Sequence, residues 1–259
     1  MKSSVVLCLL ACSLAATPAS ALQPIAIVAH RGLEAGVPEN TLAAFRQSAS
    51  HGIKIIELDL RATKDGQIVV IHDDTLDRTT DCSGRVAEMM LAALRACDAG
   101  RPTHPGQRVP TFAEALEFAR TAPVRLLLDV KSAPLGDVFR LVRAHRAETR
   151  VILGLRHASD IARARAELPS ATTLAFIPEA ADAAAFAKAG ADIIRLWSDW
   201  VEADPGLVAR TRNIGPQVWI MIGRRLPSKD REWRALHGRM IAAGAQGLIS
   251  NRPDLISAP

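Results

Sequence analysis

Aromatic side chains are scarce in this 259-residue chain, at 4% of residues with tyrosine absent, and there is no long basic run. The positive excess is modest, a formal net charge of +5, and the arginines are scattered. A nucleic-acid track needs clustered positive charge interleaved with stacking side chains, so the composition argues against that partner. A mild positive field suits an anionic small substrate and also serves solubility. Cysteine is sparse as well: there are four, and no Cys-x-x-Cys, which argues against a zinc knuckle. Walker A, G-x-S-x-G and H-E-x-x-H motifs are missing. Beyond Leu22 no apolar run is long enough to span a bilayer, so no transmembrane segment is expected in the mature chain. No low-complexity linker marks a domain boundary.

The apolar run that does exist lies at the start. "MKSSVVLCLLACSLAATPASA" has a basic end at Lys2, an apolar stretch from Val5 to Ala16 and the small-residue ending Ala19-Ser20-Ala21. This pattern predicts a signal peptide over 1–21, a mature chain of 22–259 and export to the periplasm or the medium. Leu9-Leu10-Ala11-Cys12 loosely resembles a lipoprotein processing site and ranks below that reading. Export would leave Cys82 and Cys97 in an oxidising compartment, where two thiols can pair. A bridge of that spacing would contribute roughly 3 kcal/mol in the chain-entropy model. The alternative is two separate buried thiols.

Read for period, the chain alternates strand and helix. Apolar β-like runs occur at Ile25–Ala29, Ile55–Leu60, Arg125–Val130, Val151–Leu155, Thr172–Ile177, Asp192–Trp197, Gln217–Ile222 and Gly247–Ser250. Amphipathic stretches lie between most of them. "NTLAAFRQSASHG" opens on Asn40 as N-cap and closes on Gly52; "TFAEALEFAR" carries a capping box, Thr111 with Glu114. Eight βα units in this length predict an α/β fold of the TIM (β/α)8 barrel type, with a doubly wound open sheet as the alternative. Residues 73–110 break the rhythm and predict an inserted segment after the second strand, lying over one end of the barrel.

The chemistry sits in "KIIELDLRATKDGQIVVIHDD", residues 54–74. Glu57 and Asp59 share one face of an otherwise apolar strand. Asp129 stands near the end of the next barrel strand, with Lys131 on the same face. Three carboxylates converging from neighbouring strands suit a hard divalent cation, Mg2+ or Ca2+. "KDG" at 64–66 predicts a hairpin that sets His72 across from Leu58 or Asp59. The first strand runs into His30 and Arg31, so a second imidazole faces the same site. Two histidines supply a general acid and a general base; Arg31 forks onto a phosphate, and Lys131 adds a point charge. These parts suit displacement at phosphorus.

"AHRG" at 29–32, "PENTLAAF" at 38–45, "ELD" at 57–59, "TKDG" at 63–66 and "HDDTLDRTT" at 72–80 resemble the glycerophosphodiester phosphodiesterases. "GAQGLISNRPDLI" at 244–256 looks like that family's closing strand. The resemblance implies a TIM barrel with an insertion, His30 and His72 as the acid/base pair, Glu57, Asp59 and Asp129 as metal ligands, and Arg31 and Lys131 on the phosphate. It implies Trp219 as a wall for the substrate's alcohol, although a barrel-core tryptophan fits equally, and it gives Glu39 a supporting place. Three departures stand out. Asp129 replaces a frequent Glu, Asn251 a frequent Asp, and Met221 and Gly223 the usual polar residues. The implied activity is hydrolysis of small anionic glycerophosphodiesters to sn-glycerol 3-phosphate and an alcohol. Alternatives are a lysophospholipase D or sphingomyelinase D-like action on lipid headgroups, and a non-enzymatic binding barrel. Oligomeric state is not legible.

Overall fold

The computed structural model describes residues 24–33, 36–100, 104–223 and 226–256. Residues 1–21, the expected signal peptide, lie outside them. Among the described residues nine strands form one sheet: β1 (Ala26–Ala29), β2 (Ile55–Ala62), β3 (Ile68–Val70), β4 (Arg125–Val130), β5 (Val151–Leu155), β6 (Thr172–Ala175), β7 (Ile193–Trp197), β8 (Gln217–Met221) and β9 (Gly247–Ser250). The first strand pairs in parallel with both the second and the last, so eight parallel strands close into a barrel. β3 is the exception, antiparallel on the outer stretch of β2. The expected eight-stranded barrel is therefore the fold.

Alternation along each strand explains closure. Ile55, Leu127, Ile152, Leu174, Ile193 and Ile249 fill the barrel's interior. Their neighbours Ile56, Leu58, Leu126 and Leu128 point outward and pack with helix residues Phe45, Phe112 and Phe139. Period two puts one apolar row inside and the other under the helices. The helices that position the site follow their capping chemistry. Phe112–Thr121 carries the expected Thr111–Glu114 capping box. At Leu42–Ser50 the cap is Thr41, whose hydroxyl accepts from the Ala44 N–H at 3.2 Å, rather than Asn40 as expected. The Asn40 side chain is engaged elsewhere, with Asp59.

The insertion between β3 and β4 holds two short helical turns, Val86–Glu88 and Leu91–Leu94, and a small core of its own around Leu76, Val86, Leu94 and Val109. Cys82 and Cys97 are disulfide-bonded, with Cα atoms 5.6 Å apart. The insertion is tied to the β2–β3 turn through Lys64 N–H on the Met89 carbonyl at 2.9 Å. Among the described residues no helix is long and apolar enough to cross a membrane.

Candidate active site

The acids, histidines and cations expected to form the site, Glu57, Asp59, Asp129, His30, His72, Arg31 and Lys131, gather at one end of the barrel. β1, β4, β5, β7, β8 and β9 finish at residues 29, 130, 155, 197, 221 and 250. His30, Lys131, Arg156 and Asn251 come directly after strand ends and line one cleft of about 360 Å³, together with His72 and Arg31. In β2 the inward row runs Ile55, Glu57, Asp59, so the same alternation that fills the barrel with Ile55 lifts the two acids to its mouth. Asp129 is the direct parallel partner of Asp59.

Glu57, Asp59 and Asp129 are buried and each offers an oxygen within 4.8 Å of the others. Burial pushes the Glu57 carboxyl well above its ordinary range, and the Asp59 and Asp129 charges add to this. An N–H from the Arg31 backbone, 2.9 Å from Glu57 Oε2, partly opposes it. Burial would also raise Asp129, but Arg156 and Lys131 outweigh it and hold that carboxyl low. Lys131 Nζ bridges Asp59 at 3.1 Å and Asp129 at 2.6 Å. Arg156 forks onto both oxygens of Asp129. Asp59 also accepts from the Asn40 amide at 2.8 Å. An all-oxygen donor set whose charges repel one another fits a hard divalent cation.

Each imidazole is gripped through Nδ1. His30 Nδ1 lies 2.7 Å from the Asn251 amide oxygen, and an amide oxygen only accepts, so this nitrogen carries the proton. Nε2 is left toward Glu57, 3.8 Å away. Burial, aided by Arg31, lowers the His30 pKa to about 4. His72 Nδ1 sits 2.7 Å from Asp73 Oδ1, so its Nε2 is likewise presented. The hairpin register pairs Leu60 with Val70 and Ala62 with Ile68, which extrapolates His72 onto Leu58. Asp73 is in turn held by Arg78, which also forks onto Glu39, and Glu39 accepts from Arg31 at 3.0 Å. This ring of charges ties the hairpin's histidine to the first strand's loop. Arg31 itself adopts φ 55°, an uncommon left-handed conformation that turns its N–H to Glu57.

Trp219 requires a correction. It is 3% exposed and lies in the barrel's inner core rather than on the cleft wall. It stands two residues before the end of β8, level with Gly247, whose hydrogen leaves the room its ring needs: a Cβ there would meet the indole at 2.6 Å. The tryptophan of the wall is Trp197, at the end of β7. Gly223 faces it, and a Cβ at Gly223 would collide with the Trp197 ring. The glycine departure noted in the sequence thus makes space for an indole arriving from another strand. Arg156 and Arg195 went unnoticed in the sequence, and Asn40 was read there only as a helix cap. Arg156 had one available signal, its place one residue beyond a predicted strand end.

Fold and site together define a (β/α)8 barrel whose mouth holds an acid cluster, two oriented imidazoles and a rim of fixed cations. The model of the glycerophosphoryl diester phosphodiesterase family matches residues 30–255, and the chain belongs to that family. A glycerophosphodiester phosphodiesterase of Caldanaerobacter subterraneus subsp. tengcongensis is 36% identical over 136 residues, covering 49% of this chain and 56% of that protein. The chain thus spans about half the length of such curated relatives. The crystal structure of a glycerophosphodiester phosphodiesterase from Agrobacterium tumefaciens superposes with a TM-score of 0.75 at 27% identity, covering 89% of this chain and 98% of that one. An Oleispira antarctica phosphodiesterase, in complex with its product sn-glycerol-3-phosphate, shares the fold with a TM-score of 0.76 at 23% identity, over 87% of this chain and 92% of that one.

Proposed function

We propose that this chain hydrolyses glycerophosphodiesters to sn-glycerol 3-phosphate and an alcohol, with one divalent cation, Mg2+ or Ca2+, held by Glu57, Asp59 and Asp129. The observation that carries the reading is the meeting of two Nδ1-anchored imidazoles, a three-carboxylate cluster and the Arg31–Lys131 cation pair at one barrel mouth. The bound cation would supply charge to polarise the phosphate.

The chain's own groups do the rest. Arg31 and Lys131 bind and orient the phosphate oxygens. One imidazole takes the proton of the attacking hydroxyl, from water or from the substrate's own glycerol, through its free Nε2. The other delivers a proton to the departing alkoxide, and the bond from phosphorus to that oxygen breaks as the new one forms. Asn251 and Asp73 hold the two rings in the tautomer this exchange needs. The Cys82–Cys97 bridge fits export to an oxidising compartment, which cell fractionation checks.

The test is turnover of a panel of glycerophosphodiesters with and without chelator. Release of sn-glycerol 3-phosphate that stops on chelation and returns with Mg2+ or Ca2+ is expected; activity untouched by chelator overturns the metal assignment. Including lysophosphatidylcholine reads out the lipid-headgroup alternative.

A further inference from the structure

The wall of the cleft facing away from the imidazoles has no part in the steps above. It is built at the ends of β5 to β8. Two guanidinium groups share one aromatic ring there: Arg156 Cζ is 5.0 Å and Arg195 Cζ 5.3 Å from the Phe176 centroid. Arg195 also lies 4.2 Å from the Trp197 ring. Arginine planes pinned on aromatic faces are pre-organised forks rather than wandering charges. With Arg31 and Lys131, four permanent cations line the cleft among the described residues, where Asp129 is the lining carboxylate. That carboxylate is engaged by Lys131 and Arg156, and Glu57 and Asp59 lie buried below.

A phosphodiester carries one negative charge, and the Arg31–Lys131 side already meets it. The β5–β8 wall adds positive charge where the remainder of the substrate must lie, in partly shielded surroundings where Coulomb terms are stronger than in water. We propose that this wall is a second anion subsite, selecting diesters whose alcohol portion carries a further phosphate group. This rests on the hydrolase reading and names its substrate class. A quaternary ammonium alcohol meets like charges on the same wall and is disfavoured. Among the described residues lining that side, Met221 and Ile222 present apolar atoms rather than a carboxylate.

Binding is measured first, by calorimetry on the full chain, with glycerol 1,3-bisphosphate against sn-glycerol 3-phosphate. The bisphosphate is expected to bind at least about tenfold more tightly, and the gap to narrow as salt is raised. Arg195→Met, checked for folding by circular dichroism, should shrink it further. Turnover follows, comparing bis(glycerophospho)glycerol, glycerophosphoglycerol and glycerophosphocholine. A kcat/KM order of anionic over neutral over cationic alcohol supports the subsite. Equal binding of the two phosphates, or a preference for the choline ester, overturns it while leaving the hydrolase reading intact. Tighter bisphosphate binding with no turnover of any diester supports the subsite and overturns the hydrolase reading.

Discussion

The two imidazoles are interchangeable in residue type but not in support. His30 is buried and gripped by a neutral amide; His72 is half-exposed and gripped by a carboxylate that is itself fixed by Arg78. Replacing either by Ala is expected to lower kcat by about 10²- to 10⁴-fold, the usual contribution of an acid/base group. Circular dichroism should remain native; retained turnover would refute the roles. Arg78→Ala should act more mildly, because it frees Asp73 and Glu39 without touching the rings. Glu57→Gln is expected to abolish the heat of Mg2+ or Ca2+ binding in a titration calorimeter. At this scale the sequence was informative where chemistry recurs at short spacing, as in Glu57-x-Asp59. It offered only a position after a strand end for Arg156 and nothing for Arg195, two of many arginines, whose place beside Phe176 depends on strands brought together by closure.

Strands were the elements most legible in advance. Four-to-six-residue apolar runs bounded by turn residues leave little choice of period, and β4, β5 and β9 match their expected bounds. The Asn40 cap was misplaced because Asn and Thr both cap well, and local sequence does not reveal that one amide is claimed by a distant carboxylate. Thr111→Ala removes half of a capping box and should cost about 1 kcal/mol, read as a lower midpoint in urea. The insertion has only a small core, so its order leans on Cys82–Cys97. Reducing that bridge should lower stability by roughly 3 kcal/mol in the chain-entropy model and loosen the hairpin that carries His72. Hydrogen exchange between β3 and β4 measures that loosening.

For the whole molecule, buried histidines set the acid limit. His237 packs under the closing strand, 2.9 Å from the Ser250 hydroxyl, and burial lowers its pKa from the ordinary 6.5 to about 4. The unfolded chain therefore takes up this proton first as pH falls. The contribution of His237 is expected to decline from about pH 6.5 toward pH 4 and to level off below, because the folded value is the depressed one; carboxylates held low, such as Asp129, continue the loss at lower pH. His237→Gln should flatten part of that decline in thermal melts recorded across the range. The barrel itself was readable as a count of eight units. Which residues face inward was readable from alternation, but depth was not: Trp219 and Trp197 both sit at strand positions pointing into the barrel, and only their height along it separates core from cleft.

His30 owes its setting to residues more than two hundred positions away: its N–H donates to the Ser250 carbonyl at 3.0 Å and its ring to Asn251. A nascent polypeptide that has emerged only as far as the hairpin already carries most of the reactive groups, yet lacks the clamp that tunes the first of them. The candidate site is thus completed last, when the two ends of the barrel meet.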